Sequence, residues 1–479
     1  MNHGNRKISS SFDRRTFLKM TGIVGVGSVL AGGSMISMAG CSSADEQEGE
    51  QVMNQNDTQT TESAEYTSIF PEHEALGTGI GAMPGRVAWV YDPASVTWDG
   101  ITDWWELSNY NEAVVRTMVS NAIACAAGAE NASLGWKTLF EYHNKRTGAS
   151  SENQGYQPGQ IVAIKCNMNG AAEYNDDTSG ADTGDLYTNP VLLKCLLSSL
   201  VEDAGVAPSD IVCFDTTRIF PDFMVEYCTQ DNLSGVHFAD RKERNPDRVQ
   251  ADSSARIEWS GAVRGVDCFY PTCVTEADYL INFADLKGHD YGITLCAKNH
   301  FGSFCNSSKM RQPQEAGLHP FLSNQEMGDY SPLVDLMGSR FLESKTVLYI
   351  LGALVSPAQN TRAATTDIST WSMEPFNGGY TASVFMSQDP VAIDSVGADF
   401  LINEPNMTGN NASLDGNAGC ENYLHEAACA DNPPSGATYL DGTGNLLASL
   451  GVHEHWNNAV DKQYGRNLGK PEGIELVRV

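Results

Sequence analysis

The chain has 479 residues, and its 60 acidic side chains outnumber its 30 basic ones, for a formal net charge of −30. A surface that acidic repels phosphate backbones and anionic lipid, so no nucleic-acid partner is expected and membrane contact calls for a covalent tether. Twelve cysteines are present. They form no Cys-x-x-Cys pair and no ferredoxin-type run, so a zinc ribbon, a thioredoxin-like pair and an iron–sulfur cluster are not expected.

Residues 1–40 read as a leader. Asp13-Arg14-Arg15-Thr16-Phe17-Leu18-Lys19 resembles the twin-arginine export motif, with Arg14 and Arg15 as the signal. The apolar run from Met20 to Ala39 is broken by Gly22, Gly25, Gly27, Gly32 and Gly33. A stable span wants roughly 20 strongly apolar residues, so this milder run suits a signal peptide. Met38-Ala39-Gly40-Cys41 resembles a lipobox, which makes Cys41 the lipidation site. Residues 41–68 are rich in Ser, Thr, Gln, Asn, Asp and Glu, and read as a flexible stalk. The expected partners are the twin-arginine export machinery and a membrane, reached through lipid on Cys41. The expected location is the extracytoplasmic face. Residues 69–479 then form the folded domain.

In that domain short β-branched runs alternate with amphipathic ones. Arg86–Asp92 reads as a strand, and Asn111–Ala127 and Leu134–Lys145 as helices. Ile161–Asn167 is a second strand. Pro190–Asp203 carries a helix signature, with Asn189 as cap and Pro190 in the first turn. Ile211–Asp215, a short helix at Pro221–Tyr227 and a short strand at Val236–Phe238 follow. The stretch from Gly235 to Ala277 breaks the rhythm and reads as an insertion or a small antiparallel edge. The second half gives strands at Tyr279–Phe283, Thr346–Leu354 and Ser383–Met386, with helices at Ser331–Glu343 and from Pro390 to Ile402. The pattern predicts an α/β fold: a mostly parallel sheet with helices on both faces, plus insertions.

Sites in open α/β sheets form outside the carboxyl ends of the strands. Asp92, Lys165, Asn167, Asp215, Lys287, His289, Lys298, Asn299, His300, Asp389 and Asp394 all fall at or just past predicted strand ends. The densest cluster is Lys287-Gly288-His289 followed by Lys298-Asn299-His300-Phe301-Gly302. Histidine carries protons near neutral pH, and lysine is a point charge for phosphate or carboxylate, or a nucleophile. Lys287, His289, Lys298 and His300 are therefore the catalytic candidates. Lys165, Asn167, Asn299 and Asp389 are the ligand-binding ones. Asp389 caps the turn into a helix, and with Asp394 it offers paired carboxylates for a metal ion of unspecified identity. All these residues are expected to converge on one edge. Two further pairs have metal-ligand spacing: His425 with Cys429 on a helix, and His453 with His455 about Glu454. By spacing, Cys268 with Cys273 and Cys420 with Cys429 are candidate disulfides, but most cysteines sit in apolar runs as core residues would.

Ile161-Val-Ala-Ile-Lys165-Cys166-Asn167, Lys298-Asn299-His300-Phe301-Gly302 and Asp389-Pro390-Val391-Ala392-Ile393-Asp394 resemble, in order, the domain of unknown function 362 family. The resemblance runs from Arg86 to about Glu426. It implies an α/β domain and no established activity. Some relatives carry ferredoxin modules, a pattern from which this chain departs. Three functional readings follow: an extracytoplasmic enzyme acting on a small anionic or metal-bound substrate, a tethered ligand-binding protein, or an accessory subunit of a membrane redox complex.

Overall fold

The apolar runs pair into one eight-stranded sheet. A computed structural model describes residues 74–149, 154–171, 186–241, 249–263, 267–289, 292–306, 318, 325–357, 369–405 and 417–479. The expected leader and stalk, with Arg14, Arg15 and Cys41, lie outside them. The strands are β1 (Arg86–Tyr91), β2 (Val162–Cys166), β3 (Ile211–Phe214), β4 (His237–Ala239), β5 (Tyr279–Asp285), β6 (Thr346–Ala353), β7 (Ser383–Ser387) and β8 (Glu475–Arg478). Their order across the sheet is β8-β1-β7-β6-β5-β2-β3-β4. Every neighbouring pair is parallel except β7 with β6 and β7 with β1, so one strand runs against all the others.

Side chains alternate between two buried faces, as the pleat requires. Val87, Trp89, Ala163, Leu280, Leu351 and Phe385 pack into one core. Ala88, Val90, Val162, Ile164, Ile281, Ile350 and Val384 pack into the other. Helices α1 (Glu112–Ala127), α2 (Ala132–Thr147), α3 (Pro190–Glu202) and α4 (Asp222–Cys228) contribute to the second core. The one-turn α5 (Cys296–Asn299), α6 (Pro332–Met337), α7 (Pro390–Asn403) and α8 (Asn422–Ala428) contribute to the first. Double-sided burial explains why the strands read as continuous apolar runs.

Local chemistry sets the helix ends. Asn111 accepts from Val114 N, and α1 stops at Gly128 with φ 64°, a left-handed conformation that glycine adopts without a Cβ clash. Asn189 accepts from the N–H groups of Val191 and Leu192 ahead of Pro190, as its sequence signature implies. The helix expected over Ser331–Glu343 is shorter, ending at Met337. Gly338 follows, a poor helix former against which Leu447 packs so closely that a Cβ would fall 2.1 Å from it. The insertion is a small antiparallel sheet of Ala251–Arg256, Cys268–Pro271 and Cys305–Asn306. No helix among the described residues is long and apolar enough to cross a membrane.

Candidate functional site

Lys165 on β2 lies beside Asn282 on β5 and Phe214 on β3. All three side chains face α5. The Lys165 ammonium is 1% exposed. It donates to Asp215 Oδ2 at 2.9 Å, to Asn299 Oδ1 at 3.1 Å and to the Cys166 carbonyl. Asn299 in turn donates to Asn282 Oδ1 at 2.8 Å and to the Phe283 carbonyl at 3.1 Å. Asn282 donates to the Cys296 carbonyl, and its Nδ2 lies 3.0 Å from His300 Nε2. Asp215 Oδ1 accepts from the N–H groups of Thr217 and Arg218. A Cβ on Gly302 would sit 2.7 Å from Lys165 Nζ, so the bare glycine backbone is what lets this turn close over the ammonium.

Lys287 begins a short strand, Lys287–His289, that pairs with Gly292–Thr294. It is fully buried, donating to Asn167 Oδ1 at 3.2 Å and to the Leu186 carbonyl. Asp285 Oδ2 lies 4.0 Å from it and accepts no hydrogen bond from the described residues. Burial pushes the Asp285 carboxyl up to about 7, against the pull of Lys287 and Lys165. Burial and the Lys165 charge push the His300 imidazole down to about 3. Lys165, Asn167, Lys287, Asn299 and His300 thus meet at the carboxyl edge of β2, β3 and β5. Lys298 stands on the same turn, 5.3 Å above the Phe301 ring. His289 is half-buried on the adjoining hairpin. Residues 172–185, 290–291 and 358–368, which follow β2, β5 and β6 in the chain, lie outside the described residues. Two cavities lie elsewhere, one beside Ile211 and His237, the other beside Gly77 and Arg466.

Asp389 does not join this edge, which corrects the expectation of one shared site. Because β7 runs antiparallel, its carboxyl end meets the amino end of β6: Ser387 pairs with Tyr349, whereas Asp285 pairs with Gly352. Asp389 and Lys287 are therefore roughly 20 Å apart along the strand direction, at about 3.3 Å per residue. The oxygens of Asp389 accept from the N–H groups of Ile80, Val391, Ala392 and Val452, which makes it a buried cap. Asp394 does reach the edge, in a different role. Its oxygens accept from Cys296 N at 2.8 Å, Ala297 N at 2.9 Å and Tyr423 OH at 3.1 Å. It caps α5 from a neighbouring helix and so positions Lys298, Asn299 and His300. The paired-carboxylate metal site at Asp389 and Asp394 is not formed, because the two groups serve different backbone donors. The two candidate disulfides are likewise not formed: Cys268, Cys273, Cys420 and Cys429 are free thiols.

A second polar cluster lies along another face of α7, where Ser395 and Asp399 are one turn apart. Glu421 Oε1 is 2.9 Å from His425 Nε2, 3.0 Å from His455 Nε2 and 3.5 Å from His453 Nε2. Ser395 Oγ donates to the Val391 carbonyl and lies 2.8 Å from His453 Nδ1. Asp399 Oδ1 lies 2.6 Å from His455 Nδ1, and its Oδ2 accepts from Trp456 N and Tyr464 OH. Burial works against charge here. Even so, hydrogen bonds from His425 and His455 help hold Glu421 well below the usual carboxylate range, and Asp399 and Glu421 raise His455 to about 10. Glu454, between the two histidines, points away to the N–H groups of Gly465 and Ile474. The sequence flags the three histidines but not Glu421, Ser395 or Asp399. Glu421-x-x-x-His425 was the available signal, since an i,i+4 spacing shares a helix face.

Residues 162–399 match the model of a family described as a domain of unknown function, DUF362, a narrower span than the expected Arg86–Glu426. No curated protein matches the chain.

Proposed function

From a chain whose core, residues 162–399, belongs to the DUF362 family, we propose an exported, lipid-anchored protein that works outside the cytoplasm by binding a small anionic ligand. Arg14 and Arg15 direct export, Cys41 carries the lipid, and the ligand meets the cationic edge of β2, β3 and β5. The observation that carries the ligand reading is the burial of the Lys165 and Lys287 ammonium groups at one strand edge, in a chain with twice as many acids as bases. Buried charge is costly, and perturbed groups such as Asp285 and His300 concentrate where ligands are bound. The edge lies where a parallel sheet places its ligands. Lys298 and His289, at the margin of the network, supply further polar contacts.

The test has two arms. Arg14→Lys with Arg15→Lys should leave the chain in the cytoplasm, and Cys41→Ala should release it from the membrane fraction or leave the leader uncleaved. A panel of carboxylates and phosphates, followed by calorimetry, should find a binder whose affinity falls at least tenfold in Lys298→Ala, a variant shown by circular dichroism to remain folded. Equal affinity in Lys298→Ala and Lys287→Met would refute the ligand reading.

A further inference from the structure

We propose that Glu421, His425, His453 and His455 form a binding site for one divalent first-row transition-metal ion of the zinc class. The argument is geometric. Ligand atoms about 2.1 Å from a common ion lie about 3.0 Å apart at a right angle and about 3.4 Å apart at a tetrahedral one. The three Nε2 atoms stand 2.9 to 3.5 Å from Glu421 Oε1. The ligand atoms of Glu421, His453 and His455 all lie within 4.8 Å of one another.

The imidazoles are also aimed. Ser395 Oγ gives its own proton to the Val391 carbonyl, so it accepts from His453 Nδ1–H, and the Nε2 lone pair is left facing Glu421. Asp399 takes the Nδ1–H of His455, turning Nε2 toward Glu421, and the ion displaces the Nε2 proton to solvent as it binds. A histidine anchored through one nitrogen by a carboxylate or hydroxyl is the usual arrangement behind a metal ligand. Glu421 Oε2 is buried and accepts no hydrogen bond from the described residues, so a second carboxylate oxygen is available to the ion. Imidazole nitrogens with one carboxylate suit zinc, cobalt, nickel, copper or iron, and disfavour calcium and magnesium, which take all-oxygen shells. Access is from the side of His425 and His455, whose side chains are 19% and 11% exposed. All four ligands follow residue 399, outside the family match, while the orienting Ser395 and Asp399 lie within it.

The experiment uses the full chain, stripped with a chelator and shown by circular dichroism to remain folded. Titration with Zn²⁺ should give one ion per chain, and Mg²⁺ should give none. Cobalt substitution should add visible absorption, and X-ray absorption should count three imidazoles. His425→Ala, near the surface and therefore tolerant of change, should weaken Zn²⁺ binding at least tenfold. Asp399→Asn should weaken it by about 10–100-fold. The exposed His237→Ala, at the far end of the sheet, should not alter it. Saturable binding that persists at full affinity in His425→Ala combined with Glu421→Gln overturns the site, as does a folded chain that takes up no Zn²⁺. Neither result bears on the ligand edge, which shares no residue with this cluster.

Discussion

Acid should destabilise this protein through His300. Asn282 Oδ1 accepts from Asn299, so the Asn282 amide turns its N–H toward the Cys296 carbonyl and His300 Nε2. Nε2 therefore carries a lone pair, and the ring proton sits on Nδ1, facing Ser303 Oγ at 3.0 Å. A second proton on Nε2 would meet an amide donor head-on, with the Lys165 ammonium nearby. The folded value is down at about 3, against about 6.5 for an unfolded histidine. A depressed histidine contributes stability that is complete above about pH 6.5 and is lost as pH falls from there toward 3. Between pH 7 and pH 5 the loss is about 2 kcal/mol, at 1.4 kcal/mol per unit. Urea unfolding at pH 7, 6 and 5 should show it for the native chain, with a pH-dependent loss about 2 kcal/mol smaller in His300→Gln. His143 is also pushed down to about 3 by burial, but it acts in both proteins and cancels in the difference. Parallel pH profiles for the two proteins would refute the neutral-imidazole assignment.

Three other outcomes are expected. Lys165→Met should cost about 3–5 kcal/mol by stranding the Asp215 carboxylate, and Asp215→Asn added to it should restore part of that, as read by a double-mutant cycle. Asp394→Ala should cost at least about 3 kcal/mol in urea unfolding, since it leaves three buried donors without acceptors at about 1–3 kcal/mol each. A loss below about 1 kcal/mol would remove its positioning role. Thiol titration of the denatured, unreduced chain should find every cysteine from Cys125 to Cys429 reactive; protection of Cys268 with Cys273, or of Cys420 with Cys429, would contradict the free thiols of the fold.

Seven of the eight strands and the long helices could be read from the sequence because each has a strong local cause; β8 could not, because its four residues begin and end in charge, Glu475 and Arg478. Apolar runs buried on both faces leave no polar interruption, and Asn189-Pro190 announces α3 before its first turn. Direction within the sheet has no such cause. Ser383–Ser387 reads as any other buried strand, and only its pairing with Tyr349 and its neighbours reveals that it is reversed. That reversal carries Asp389 away from the edge, where Lys165 and Asn167 from β2, Lys287 just past β5 and Asn299 on α5 meet. The histidine cluster was legible only in pieces. His425 and His453-Glu454-His455 show metal-like spacing, but the residues that aim them, Ser395 and Asp399, are far away in sequence and come from a helix whose pattern is simply buried.

The placement of β1 has a consequence in time. Its only neighbours in the sheet are β7 and β8, whose residues come nearly 300 or more positions later in the chain. At about 5–20 residues per second, synthesis leaves Arg86–Tyr91 without sheet partners for roughly 15–60 seconds. During that interval Val87, Trp89 and Val90, which end up almost wholly enclosed, have helices α1 to α4 to shelter one face and no neighbouring strand. Closure of the sheet around a strand made this early is a high-contact-order step and a slow one. Under the proposed export, the leader would be in the cytoplasm, ready to engage, well before the domain behind it had closed its sheet.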